Sequence, residues 1–368
     1  MEFKAFQDIK LSRLGMGNMR LPVENDKEGA PIDYKRAQEI IDYAMEQGIN
    51  YYDTAYVYHN KSSEDFLGVA MKKYDRGSYY LATKYAIAAN EDFKACFEEQ
   101  LEKLQTSYID FYLIHNVNDR NIDQYIESGC IEYFEQEKAA GRIKYLGFSC
   151  HGTPATLERF ASYRDWDFAQ IQLNYYDWEF ATTKEEYDIL VNHNIPIMVM
   201  EPVRGGKLAN LPEEAAAKLP LHEGWSHASY GFHFVKALPQ VQVILSGMST
   251  LEQMKDNVNT FSDEYALTEQ ECDKMAEVAR AFKHCMTVPC TACRYCCDDC
   301  PSKIDIPKFI ELYNKYKMDG AWGMKEALQK VESEGTPEDC IGCGTCTGHC
   351  PQNIEVPGIM SELKELMK

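Results

Sequence analysis

From Ile9 to Phe261 the chain alternates eight times between a short apolar run and a longer amphipathic stretch. Alternation of this kind admits a closed barrel of parallel strands or an open doubly wound sheet. A first strand is expected within 9–20, running into a Gly-x-Gly turn; others follow at 49–52, 79–82, 109–114, 145–148, 169–173, 195–199 and 241–245. Helices are expected at 34–47, 62–73, 92–104, 130–140, 154–163, 184–192, 228–237 and 251–261. In the first, Ala37, Ile40, Ile41 and Ala44 share one face and Gly48 supplies the stop. SSEDFLGVAMKK at 62–73 reads as a capped helix. The glycine fingerprint of a dinucleotide-binding open sheet, GxGxxG opening a helix, is absent. Polar residues close strand after strand, as they do at the working face of a barrel. The expected fold is therefore α/β, a (β/α)8 TIM barrel, with a further helix at 268–284 packed outside it.

Three strand ends carry titratable groups. GINYYDTAYVY puts Asp53 just past an apolar run and Tyr58 five residues later; YYLATK ends on Lys84 and DFYLIH on His115. Reducing a carbonyl needs a hydride donor on one side and a proton donor at the oxygen. A phenol of pKa near 10 is protonated at neutral pH but is a reluctant acid. A neighbouring ammonium would stabilise its phenolate. Lys84 can be that ammonium, Asp53 can hold it in place, and His115 can hydrogen-bond a substrate oxygen or share the proton. Any one of these alone would read as an ordinary strand-end hydrogen bond; the four together read as a site.

After Pro289 the composition shifts to cysteine, proline and glycine, and the domain border is placed near residue 284, giving 1–284 and 285–368. Nine of the 14 cysteines fall between Cys290 and Cys350. Cys290, Cys293, Cys296 and Cys300-Pro301 form the run C-x2-C-x2-C-x3-C-P, and Cys340, Cys343, Cys346 and Cys350-Pro351 repeat it. This is the bacterial pattern for two 4Fe-4S clusters, in which the fourth Cys ligates the other cluster. It groups Cys290, Cys293, Cys296 with Cys350, and Cys340, Cys343, Cys346 with Cys300. Zinc is the rival for C-x2-C pairs, and Cys297 competes with Cys296 as a ligand. IPKFIELYNKYKM and AWGMKEALQKV between the runs show helical spacing, and SKIDIP and QNIEVP after them form an internal repeat. The tail is expected to be a small, mainly helical two-cluster ferredoxin-like module. Cys96, Cys130, Cys272 and Cys285 carry no spacing signal and read as packing residues.

The net charge of −20 argues against a nucleic-acid partner, which calls for a basic surface. It suits solubility, or an acidic face for a basic redox partner. No apolar run approaches the roughly 20 residues of a membrane span, and the first residues lack the apolar core of a secretion signal. With cysteines in metal-ligand runs, a cytoplasmic setting is expected.

The stretches GINYYDTAYVY, YLATKY and DFYLIHN resemble the aldo-keto reductase family, and the similarity runs from about residue 9 to 261. The family's tetrad falls on Asp53, Tyr58, Lys84 and His115. The resemblance implies a nicotinamide cofactor, NADP(H) or NAD(H), with its carboxamide gripped by Ser149 and Gln172. It places the adenosine phosphate end near Gly247, Ser249, Gln253 and Asn257, and further contacts at Gly17, Asn18, Met19, Asp53, Met200, Glu201, Val203 and Gly205. Departures are Cys150 where an Asn often follows the carboxamide Ser, and Met200 in place of an aromatic that stacks on the nicotinamide. No Lys or Arg occupies 247–253 to meet a 2′-phosphate, although Lys255 is close and Arg204 and Lys207 could supply that charge. Cys150 and His151 could form a thiol–imidazole pair, but adjacent residues near a strand end usually point apart.

The combination implies a carbonyl reductase or alcohol dehydrogenase acting on a small carbonyl or alcohol, with a ferredoxin or flavoprotein as redox partner. Nicotinamide gives up electrons in pairs and a 4Fe-4S cluster takes one at a time, so direct exchange would need a converter such as a flavin; no flavin signature is visible. The alternative is an electron-transfer or redox-sensing protein whose barrel binds nicotinamide with little turnover.

Overall fold

The computed structural model describes residues 1–27, 29–284, 288–319 and 323–367; Cys285 lies outside them. Two compact units are present, one from Met1–Val203 and His222–Cys272, the other from Arg204–Leu221 and Asp273–Lys368.

The first unit is a closed barrel of eight parallel strands. Its strands are β3 (Leu14–Gly17), β4 (Tyr51–Asp53), β5 (Tyr80–Tyr85), β6 (Ile109–Val117), β7 (Ile143–Cys150), β8 (Phe168–Gln172), β9 (Ile197–Met200) and β10 (Val241–Ser246), with β10 closing on β3. The region read as a first strand within 9–20 divides in two. β2 (Ile9–Ser12) pairs antiparallel with β1 (Phe3–Phe6), and only β3 enters the barrel. The chain bends at Arg13, whose side chain is 3% exposed and donates to Val241 O and, at 3.2 Å, to Lys236 O. Phe6 and Leu11 of this hairpin pack into one cluster with Tyr51, Phe111, Phe168 and Val243.

Helices follow the strands as the apolar spacing requires. Helix Tyr34–Glu46 buries Ala37, Ile40, Ile41 and Ala44, and Asp33 caps it by accepting from Arg36 N. Ser62 does not cap helix Ser63–Met71; its backbone is already helical, and its hydroxyl donates to His59 O at 2.6 Å. Gly68 is needed on that helix because a Cβ there would lie 2.1 Å from Lys103 O, so two helices meet through bare backbone. Among the described residues no helix is long and apolar enough to cross a membrane.

The second unit packs helices Ile306–Asp319, Met324–Gln329 and Val356–Met367 around a core that includes Ile304, Phe309, Ile354, Ile359 and Leu363, with cysteines of both runs against it. Core positions recur at an offset of fifty, as in Ile304 and Ile354, Phe309 and Ile359, or Tyr313 and Leu363. The internal repeat is thus a structural one. Helix Glu269–His284, expected outside the barrel, has its residues from Asp273 onward in this unit.

Candidate functional site

β4 ends on Asp53, whose ladder partner on β5 is Ala82; Lys84 stands two residues further on, the same side of β5. Lys84 Nζ donates to Asp53 Oδ1 at 2.6 Å and to Thr54 O at 2.7 Å, and the pair is 0% and 3% exposed. Burial pushes the Asp53 carboxyl up and the Lys84 ammonium down, and their contact works against both shifts. Asp53 Oδ2 is buried with no hydrogen-bond partner among the described residues.

Tyr58 sits on a loop that three consecutive left-handed residues, His59, Asn60 and Lys61, fold back on itself. Its ring is buried, 4.9 Å from Lys84 Nζ, and meets the His115 ring edge-on at 5.9 Å. β6 runs past His115 to Val117, and its register with β7 shifts between Ile114 and Val117, where Asn116 has φ +55°. Such an irregularity re-aims a side chain at a strand end. Burial first, then the charges of Lys84 and His151, hold His115 well below the usual imidazole range, and its Nδ1 is buried without a partner among the described residues. The structure therefore brings all four groups together.

Behind Lys84 lies an acid the sequence did not single out. Glu64 is 0% exposed; its Oε1 accepts from Thr83 Oγ1 at 2.5 Å and Gln100 Nε2 at 2.7 Å, and Tyr112 OH donates to Gln100 at 2.6 Å. Burial lifts its carboxyl to about 7, and its charge acts on Lys84. From sequence it reads as an ordinary acidic residue in a first helical turn.

The residues expected to hold a nicotinamide lie as follows. Ser149 is 1% exposed, accepts from Asn116 N at 2.8 Å, and is the ladder partner of Gln170 on β8. Gln170 is 2% exposed, donates to Met200 Sδ at 3.5 Å, and leaves its Oε1 buried without a partner among the described residues. Gln172 pairs instead with Met200 in the ladder, and its amide donates to Asp177 Oδ2 at 2.7 Å. Gln170 thus stands beside Ser149 with an amide oxygen that has no donor among the described residues. Asn18 donates to Asp53 O at 2.8 Å and follows Gly17, where a Cβ would come 3.3 Å from Ser246 O; Met19 lies in the same 3-10 turn. Arg20 approaches Glu201 at 3.7 Å. Glu201 has φ +56°, and Val203 ends the first unit's segment. Ser249 Oγ donates to Arg20 O at 2.7 Å, and a Cβ on Gly247 would meet the Arg20 side chain at 3.1 Å. Asn257 donates to Ser246 Oγ at 2.8 Å. At the start of helix Leu251–Thr260, Gln253 closes a capping box with Thr250 and also takes Ser249 N, so its side chain spends itself on backbone donors. Gly205 (φ +63°) and Arg204 belong to the second unit.

Cys150 is buried and its thiol is pushed up to about 12 by burial, while Gly152 N donates to its Sγ. Nothing ties it to His151, whose backbone N–H goes to Val117 O.

In the second unit both cysteine loops turn through left-handed residues at matching places, Ala292 and Arg294 in one, Gly342 and Gly344 in the other. Loops of this kind turn successive N–H groups inward and suit anionic iron–sulfur groups. Cys300, Cys340, Cys343 and Cys346 line one cavity, together with Ile304, Ile306, Val356 and Met360. Cys290 lies within electrostatic reach of Cys350, and Cys296 within reach of Cys293 and Cys290. Both groupings are those of the crossed arrangement, so the residues fit two four-cysteine clusters. Among the described residues no three ligand side chains converge as for one metal ion. Cys297 takes the backbone N–H of Ile306, as Thr347, fifty positions on, takes that of Val356 at 3.2 Å. Cys297 thus stands at the capping place that Thr347 fills in the repeat, and Cys296 is the counterpart of Cys346.

Residues 13–280 match the Aldo/keto reductase family, and residues 289–355 match the 4Fe-4S dicluster domain. The chain is similar to Uncharacterized oxidoreductase YqkF of Bacillus subtilis (strain 168), at 26% identity over 72% of this chain and 91% of that one. L-galactose dehydrogenase of Arabidopsis thaliana is 24% identical over 68% of this chain and 84% of its own length. Among solved structures, the aldo-keto reductase AKR11C1 from Bacillus halodurans aligns with a TM-score of 0.64 at 27% identity, covering 76% of this chain and 97% of that chain.

Proposed function

Because the chain belongs to the aldo/keto reductase family and carries a 4Fe-4S dicluster domain beyond it, we propose that this oxidoreductase interconverts a small carbonyl compound and its alcohol, with Tyr58 as proton donor in the reducing direction. The observation that carries the reading is the buried Lys84–Asp53 contact of 2.6 Å beneath the Tyr58 ring, with His115 at its edge.

A bound nicotinamide, NADP(H) or NAD(H), would supply or accept the hydride. The protein's part is proton transfer and positioning. As Tyr58 gives up its proton, the buried Lys84 ammonium beneath its ring stabilises the phenolate, since a charge acts strongly where little water reaches it. Asp53 keeps that ammonium in place. His115, held uncharged by its burial, meets the carbonyl oxygen as a neutral hydrogen-bonding group. Ser149 and Gln170 orient the carboxamide, and 247–257 takes the phosphate end.

Cys290, Cys293, Cys296 and Cys350 would hold one cluster and Cys300, Cys340, Cys343 and Cys346 the other; such clusters would supply one-electron exchange with an external ferredoxin or flavoprotein. A barrel that binds nicotinamide with little turnover is the competing reading, supported by Met200 at the site. Tyr58→Phe distinguishes them. Aldehyde reduction with NADPH or NADH should fall by roughly 10²-fold or more, with cofactor binding retained. Unchanged turnover removes the proton-donor role; no turnover in either protein favours the competitor.

A further inference from the structure

Arg204 is among the largest fully buried side chains of the molecule, at 2% exposure, yet it stands in a loop, RGGKLA, that reads from sequence as solvated. Its guanidinium donates through Nη1 to Pro289 O at 2.9 Å and through Nη2 to Gln352 Oε1 at 2.7 Å. Pro289 immediately precedes Cys290, and Gln352 lies two residues past Cys350. One planar cation therefore ties together the two chain segments that deliver the first and last cysteines of a single four-cysteine set. The charges of both Arg204 and Lys207 reach Cys290. The cavity of the other set, around Cys300 and Cys340, has no Lys or Arg among its described lining residues. Nor can the fifty-residue repeat supply an equivalent cation, because residue 204 stands outside it.

We propose that Arg204, seconded by Lys207, is a positioning and tuning residue that raises the reduction potential of the cluster held by Cys290, Cys293, Cys296 and Cys350 above that of its twin. This inference rests on the assignment of two 4Fe-4S clusters made above. Each reduction adds one electron and no proton to a cage that is already anionic. A permanent cation, out of water and close by, stabilises the reduced form more than the oxidised one, and net charge near a cluster is one of the terms that set its potential. Two cages of near-identical ligand spacing thereby become unequal, and a first electron settles on the one beside Arg204.

The test is an anaerobic redox titration of the full-length protein, followed by electron paramagnetic resonance, with iron and sulfide counted on the same samples. The parent should show two separate one-electron waves. Arg204→Met should move the higher wave downward by at least a tenfold change in its equilibrium, 59 mV for one electron, and leave the lower wave in place. Arg204→Lys should keep most of the separation. Unmoved waves in a fully loaded Arg204→Met protein, or equal movement of both, would overturn the proposal. If Arg204→Met loses a cluster, Lys207→Gln decides: the higher wave alone should shift downward, and no shift overturns the proposal. A parent without iron and sulfide would instead sink the cluster assignment itself.

Discussion

Gln170 and Gln172 share one face of β8, and residue spacing cannot choose between them. The register tells them apart: Ser149 pairs with Gln170, whereas Gln172 pairs with Met200 and is engaged with Asp177. The resemblance pointed to Gln172; the unspent buried oxygen belongs to Gln170. A lost hydrogen bond of this kind is worth about 1 kcal/mol or somewhat more. Gln170→Ala should therefore raise the KM for nicotinamide about tenfold, and Gln172→Ala should raise it less, as measured by steady-state kinetics and cofactor fluorescence. A similar ambiguity, Cys296 against Cys297, meets one structural difference: Cys297 takes a backbone donor as Thr347 does in the repeat. Cys297→Thr should retain both clusters, since Thr347 already does that work in the repeat, while Cys296→Thr should lose about half the iron, read by metal analysis.

At the scale of elements, the alternation of apolar runs foretold seven barrel strands to within a few residues. It failed at the first, where Ile9 and Leu11 alternate as Leu14 and Met16 do, and only the buried Arg13 between them turns one strand into two. Periodicity was equally blind to the packing of helix Ser63–Met71 against β5 and helix Phe93–Lys103, where Glu64, Thr83 and Gln100 form a closed polar network. Glu64 has its carboxyl raised from 4.5 to about 7 by burial, so the folded protein holds this proton more tightly than the unfolded chain does. Its contribution is fully present below about 4.5 and is lost as pH rises through 7. Glu64→Gln removes that dependence. Relative to the parent, the variant should gain up to about 3 kcal/mol between pH 4.5 and 8 at 1.36 kcal/mol per unit. Chemical denaturation across that range checks it, and parallel stability curves would refute it.

Across the whole molecule, the gathering of Asp53, Tyr58, Lys84 and His115 and the repeat of the two cysteine runs were legible because both are written in residue spacing. The allegiance of residues 204–221 was not, because it depends on Arg204 finding acceptors at Pro289 and Gln352, far along the chain. A chain ending at residue 284 would strip Arg204 of both. Limited trypsin digestion should then cut at Arg204 and Lys207, which the full-length protein should resist. Equal resistance in both would show that the loop stands without its partners.

That bond between distant segments also bears on how the protein is made. Gln352 follows Arg204 by 148 residues, which at about 5–20 residues per second is roughly 7–30 s of translation. Throughout that interval the nascent chain carries a cation whose resting place has not yet been synthesised. The loop that leaves β9 therefore gains this acceptor only once residue 352 has emerged from the ribosome.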